Sequence, residues 1–210
     1  MTVSDINNMI LENKVSLFEN LLTSTKRDGV DKVIEFIRGT DFYTAPASAN
    51  YHSNYKGGLL DHSLIVYDIA MEYKKSMAAV NPELEKDLPD ESVVIATLLH
   101  DICKTCFYRE SLKWRKDVND NWEQYMGYVI DDTFPIGHGE KSVIMLQNIG
   151  LEMTACEMLA IRFHMGFWGS ESTDMKHSQL SALKMCPLVL LLQIADFTAS
   201  VTLEKEIINK

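Results

Sequence analysis

SVVIATLLHDIC, residues 92–103, is apolar on nearly every side and closes on a histidine and an aspartate. A helix apolar all round is a buried helix, so this stretch marks the centre of the fold. Working outward, Asp90 stands where an N-cap belongs, after breaks at Asn81-Pro82 and Pro89. Before those breaks a helix is expected from Leu59 to about Ala78. Residues 40–58, TDFYTAPASANYHSNYKGG, form a loop punctuated by Pro, Gly, Ser and Asn. Further back, Ile6, Ile10, Leu17, Leu21 and Leu22 fall near a 3.6 period over residues 4–23, and Val30 to Ile37 continue as a second short helix.

On the C-terminal side, LKWRKDV and WEQYMGYVI flank Asn119-Asp120-Asn121, the pattern of a two-stranded hairpin within residues 107–131. Helical pattern returns at about 138–149, 152–165 and 187–204, with a Gly/Ser/Asp-rich loop at 166–178. The expected fold is all-α, a helical bundle with a small β-hairpin insertion. It forms one domain over 1–210, of which 1–38 are an N-terminal helical extension.

Composition limits the function. The chain has 210 residues, 46% of them apolar and 24% charged, as in an ordinary globular protein. Thirty acidic against twenty basic residues give a formal charge of −10, which disfavours long nucleic acids as partners. A small anionic substrate then needs local neutralisation, and a metal is the obvious means. Cys103, Cys106, Cys156 and Cys186 do not make a disulfide framework in a chain of this size. The N-terminus lacks a secretory pattern, and the most apolar stretch, Leu188 to Leu192, is far short of the ~20 residues of a membrane span. A reduced, soluble, cytoplasmic protein is expected.

His100-Asp101 carries the first chemical signal, because an ionised carboxylate ending a buried helix needs a partner or a metal. A satisfied hydrogen-bonded pair is the plain alternative. Asp196 lies in another mostly apolar helix. His62 begins the second turn of the helix opened by Gly57-Gly58, His138 sits between glycines at a helix start, and His164 closes a helix. Four imidazoles and two carboxylates on separate helices are what a metal site inside a bundle uses.

The order His62, His100-Asp101, His138, His164, Asp196 resembles the HD-domain metal-dependent phosphohydrolases over about residues 50–200. YHSNYKGGLLDHS (51–63) and LLHDICK (98–104) look like segments of HD enzymes related to bacterial 3′–5′ exoribonucleases, without their nucleic-acid-binding barrel. GHGEKS (137–142) and IADFTAS (194–200) resemble the later ligand segments. Cys103 departs from the glycine common at its position.

The resemblance implies one metal held by His62, His100, Asp101 and Asp196. It implies a second held by His138 and His164, with Asp101 bridging. Mixed imidazole and carboxylate ligands suit Mn, Fe, Co, Ni or Zn. Lys104 is placed to neutralise phosphate charge, Asp101 and Lys104 being the catalytic pair, and His52 contacts substrate or metal. The implied activity is hydrolysis of a phosphomonoester or phosphodiester of a nucleotide or short oligonucleotide. Two alternatives use the same scaffold: a non-catalytic nucleotide-binding module, whose expected mark is eroded ligands, and a di-iron oxygenase.

Other signals are set aside. Gly137-His138-Gly139-Glu140-Lys141-Ser142 lacks the spacing of a phosphate loop and a preceding strand. His138-Gly139-Glu140 matches half of a zinc deaminase signature whose cysteine half is missing. Cys103 and Cys106 have no second pair, the methionines fill core gaps, and His177 belongs to the surface. Lys113, Arg115 and Lys116 beside Trp114 and Trp122 pair basic with aromatic groups that can stack on a nucleotide; a solvated hairpin face is the plainer reading.

Overall fold

The computed structural model describes residues 3–166 and 172–204. In chain order, α1 (Val3–Asn8), α2 (Leu11–Ser24) and α3 (Val30–Arg38) precede α4 (Gly58–Val80). A short α5 (Leu84–Asp87) leads to α6 (Asp90–Leu99) and a 3₁₀ turn (Ile102–Lys104). The hairpin β1 (Tyr108–Lys116) and β2 (Trp122–Ile130) follows, then α7 (His138–Ile149), α8 (Ala155–Phe163), α9 (Thr173–Met185) and α10 (Pro187–Thr198). Ala199–Leu203 make a π turn.

At the centre, α4, α6, α8 and α10 pack on one another. All of Ser92–Leu99 is buried, as the all-round apolar reading of this stretch requires. On α10, Leu188, Val189, Leu191, Leu192 and Ala195 are buried, and one continuous core runs from Ile6 to Ala199. Glu157 is fully buried but satisfied. It accepts from both terminal nitrogens of Arg27 at 2.9 and 2.8 Å and from Ser92 Oγ at 2.6 Å. It also completes a capping box with Thr154, which fixes the start of α8.

Several expectations shift. The first helix breaks at Met9-Ile10 into α1 and α2. Asp90 is not a side-chain cap; Pro89 occupies the N-cap, and Asp90, one residue inside, pairs with Lys74. Residues 173–178, expected as loop, belong to α9, whose Ser172 Oγ accepts from the Met175 amide. Its buried face is only Gln179 and Ala182, too sparse to show as a period. Residues 167–171 of that expected loop lie outside the described residues. His177 is exposed, on α9 rather than in a loop. Cys156 and Cys186 form a disulfide between α8 and the start of α10, with Cα atoms 5.7 Å apart, so the expectation of four free thiols is corrected for this pair.

The hairpin pairs antiparallel from Tyr108↔Ile130 to Lys116↔Trp122. Asp120 takes a positive φ of 65°, and the Asp117 carboxylate accepts from the amides of Asn119 and Asn121, which closes the turn. Strand alternation separates the groups whose combination suggested base stacking. Leu112, Trp114, Trp122 and Met126 share the exposed face. Lys113 and Arg115 point to the other, where Lys113 donates to Asn50 Oδ1 and Arg115 pairs with Glu123. Of the three basic residues only Lys116 stays with a tryptophan, over the Trp122 ring.

Among the described residues, no single helix is long and apolar enough to cross a membrane.

Candidate metal centre

The ends of the central helices converge on one point. Helix α6 stops at His100 and α8 stops at His164, each as the C-cap residue. In both, the ring Nδ1–H donates to a carbonyl of the last turn, Thr97 at 2.8 Å for His100 and Ile161 at 2.7 Å for His164. That bond fixes the tautomer and turns Nε2 inward, the arrangement metal-ligating histidines use. His62 comes from the second turn of α4 with its Nε2 3.2 Å from that of His100. Asp196 Oδ1, from the last turn of α10, stands 3.3 Å from His62 Nε2.

Asp101 lies between these groups. Its Oδ2 is 3.4 Å from His100 Nε2 and 3.6 Å from His62 Nε2, while its Oδ1 is 3.6 Å from His164 Nε2. The two oxygens thus face two different sets of imidazoles. Donor atoms each ~2.1 Å from a shared cation stand roughly 3.0–3.4 Å apart, close to these separations. Asp101 Oδ1 and His164 Nε2 are buried with no hydrogen-bond partner among the described residues. Such orphaned atoms are rare in folded proteins, and two facing one another fit a missing cation. His62, His100 and Asp101 form one group able to hold a metal, His100, His164 and Asp196 a second, and His52, His62 and Glu204 a third.

His138, at the start of α7, lines the same cavity but belongs to none of these groups. Its Nδ1 lies 4.0 Å from Cys103 Sγ, and its ring packs edge-on against Phe107. It does not pair with Glu140, which binds Arg162. Of the two glycines around it, Gly139 serves backbone packing. A Cβ on Gly139 would lie 2.1 Å from the Arg162 carbonyl oxygen, so this glycine lets α7 press against α8. A Cβ on Gly137 would meet the Glu140 carboxylate.

Lys104, in the 3₁₀ turn, puts Nζ 2.6 Å from Asp101 Oδ2 and is buried. It is therefore an ion-paired lysine at the cavity floor. The ring of His52 sits 5.0 Å from that of His62, and its Nε2 is buried with no partner among the described residues.

One participant escaped the sequence reading. Glu204, just past the π turn, accepts from His62 Nδ1 at 2.6 Å and from Ser53 Oγ at 2.5 Å. Nothing in its local sequence distinguishes it, because the π turn, not a helical period, sets its direction.

These contacts move the titrations. Burial alone lowers the pKa of His62, but the Glu204 and Asp196 carboxylates prevail and raise it to about 10. Burial raises Asp101, yet Lys104 and His100 hold it well below the usual carboxylate range; Asp196 is lowered against burial by His62. Burial depresses His164 and His52 to about 4, assisted by His100 and His62 respectively.

For the metal-free chain the signs oppose. His52 and His164 bind protons more readily unfolded, where their value is 6.5, so their contribution is lost as pH falls from 6.5 toward about 4. The contribution of His62 is complete below 6.5 and is lost as pH rises toward about 10. The thermal midpoint of chelator-treated protein is therefore expected to peak near pH 6.5 in calorimetry. A midpoint still climbing from pH 7 to 9 would contradict this assignment.

Above the cluster opens a cavity of about 1160 Å³. Asp101, Lys104, His138, His164 and Asp196 line it alongside Tyr51, Tyr73, Tyr108, Ile130, Ile194 and Phe197. Lys104 is its one lysine or arginine among the described residues.

The profile described as HD domain matches residues 59–200, most of the chain. A curated protein of Methanocaldococcus jannaschii, dihydroneopterin 2′,3′-cyclic phosphate phosphodiesterase, is 33% identical over 90 residues. That similarity covers 37% of this chain and 34% of the archaeal protein, about a third of its length. No solved structure matches the chain at a significant level.

Proposed function

The chain belongs to the HD-domain family, and on that premise we propose that it is a metal-dependent phosphohydrolase acting on a small, ring-bearing phosphoester. The observation that carries this reading is Asp101, whose two oxygens face separate imidazole groups at the floor of an aromatic-walled cavity. His62, His100, Asp101 and Asp196 would hold one divalent ion, and His164 with Asp101 a second, with His138 lining the same cavity. Bound there, such ions polarise phosphoryl oxygens and lower the pKa of water.

The chain's own groups do the rest. Lys104, held by Asp101, offers a positive charge to a phosphoryl oxygen entering the floor. Burial keeps His164 and His52 neutral at pH 7, so both present lone pairs instead of protons. Tyr51, Tyr73, Tyr108 and Phe197 offer faces to a flat ring. Because Lys104 is the cavity's sole lysine or arginine among the described residues, one phosphate suits it better than a string of them. A nucleoside monophosphate, a short oligonucleotide end and a cyclic phosphodiester all meet that description. The archaeal relative's name gives one such substrate, dihydroneopterin 2′,3′-cyclic phosphate. A single HD-type domain working in the cytoplasm is part of the same reading.

The test is a turnover screen of the purified, Mn²⁺-loaded chain. Its panel holds nucleoside monophosphates, 2′,3′-cyclic phosphates, cyclic dinucleotides, short RNA and nucleoside triphosphates. Metal-dependent turnover of single-phosphate substrates, exceeding that of triphosphates, is expected. Metal retention without turnover of any of them would overturn it.

A further inference from the structure

We infer that Glu204, together with Ser53, is a positioning pair that orients His62 toward the metal; the inference rests on the metal reading above. Glu204 lies beyond residues 59–200, so the match to the family does not account for it.

Three observations converge. First, the Glu204 side chain is only 1% exposed and spends both oxygens on the site, Oε1 on His62 Nδ1 at 2.6 Å and Oε2 on Ser53 Oγ at 2.5 Å. A buried carboxylate without partners would cost several kcal/mol, and these two bonds are what allow it there. Second, the backbone is shaped to deliver it. The π turn at Ala199–Leu203, which packs against α4, ends with the Glu204 amide donating to the Ala199 carbonyl at 2.9 Å, and Glu204 itself leaves the helix in an extended conformation. Wide turns of this kind recur at functional sites.

Third, the opposing loop is equally committed. Ser53 adopts a positive φ of 45°, unusual for a residue with a side chain, and its carbonyl oxygen sits 1.9 Å from where a Cβ on Gly58 would be. Gly58 thus lets the loop seat against the start of α4, and the Ser53 hydroxyl meets Glu204.

The consequence is a chain of hydrogen bonds from Ser53 through Glu204 to His62 Nδ1. With Nδ1–H held by the carboxylate, Nε2 is the nitrogen left to meet a metal in place of its proton, and it is the nitrogen beside His100, Asp101 and Asp196. His100 and His164 achieve the same orientation with carbonyls of their own helices. His62, in the interior of α4, has no free carbonyl nearby, so a distant residue must supply the acceptor. Carboxylates bound to the second nitrogen of a ligating histidine raise ligand basicity, and losing one weakens metal affinity about 10–100-fold.

The experiment compares full-length wild type, Glu204→Ala, Glu204→Gln and Ser53→Ala. It reads Mn²⁺ affinity from the free-ion electron paramagnetic resonance signal, and the His62 Nδ1–H proton by NMR in the Zn²⁺-loaded chain. Glu204→Ala is expected to weaken Mn²⁺ binding about 10–100-fold and to lose the downfield His62 proton. Glu204→Gln, which keeps an acceptor of the same shape, restores much of the affinity and the proton, and Ser53→Ala weakens binding less than Glu204→Ala. Equal affinities in wild type and Glu204→Ala, or an unmoved proton signal, would overturn the inference. A wild-type chain that binds no Mn²⁺ would instead overturn the metal reading beneath it. Circular dichroism of Glu204→Gln verifies that the fold is retained.

Discussion

Asp101→Asn is expected to remove divalent-metal retention and phosphoester hydrolysis together, lowering turnover by at least about 1,000-fold, or roughly 4 kcal/mol of transition-state stabilisation. The size follows from its position. Asp101 faces His62 and His100 with one oxygen and His164 with the other, so both of its oxygens are committed to the cluster. An amide keeps the shape but loses the charge and turns a donor toward one side. The substitution also leaves Lys104 buried without its partner at 2.6 Å, and breaking a buried pair costs about 3–5 kcal/mol. Thermal unfolding should therefore fall for Asp101→Asn and recover in Asp101→Asn with Lys104→Met, with activity absent in both. Metal analysis with an ester assay checks the pair of outcomes; full activity at unchanged metal content would sink the assignment.

His164→Ala is the second large effect. Its Nε2 has no hydrogen-bond partner among the described residues and stands opposite the orphaned oxygen of Asp101, so truncation removes a ligand together with the ring's bond to the Ile161 carbonyl of its own helix. Metal content is expected to drop from about two ions per chain toward one. Turnover should fall at least ~100-fold, equivalent to ~2.7 kcal/mol. His138→Ala should move both quantities the same way. Its ring leans on Cys103 and Phe107 outside the two close groups, so its loss is the smaller of the two. If both variants keep the wild-type rate and the protein never holds more than one ion, the centre is mononuclear. It then rests on His62, His100, Asp101 and Asp196.

The two halves of this problem were unequally legible in the sequence. SVVIATLLHDIC revealed the buried helix because apolar residues on every face have one explanation, and the hairpin was visible because its turn residues and alternation coincide. α9 was missed since only Gln179 and Ala182 reach the interior, leaving no apolar stripe to recognise. The imidazoles stood out individually, being few and placed at helix ends. Their grouping followed only from the resemblance to a family, since no period or spacing relates α4, α6, α8 and α10, and the place of His138 depends on how α7 seats against α8 through Gly139, a contact between backbones. Glu204 was illegible for a related reason. Its role arises from a π turn and from a loop about 150 positions earlier in the chain, neither of which leaves a periodic mark.

The C-cap histidines of α6 and α8 bear on the order of assembly. Each helix presents a partial negative charge of about half an electron at its C-terminus, and both termini end at the cluster beside Asp101 and Asp196. A phosphate entering the protein without a cation meets that field with Lys104 as its nearest lysine or arginine, already claimed by Asp101. A cation meets the same field as an attraction. The two ligands are therefore not interchangeable in sequence: the positive one loads first and converts a repelling pocket into a receiving one. On the proposed function, substrate affinity is expected to report metal occupancy, and a chelator is expected to weaken substrate binding without resembling the substrate.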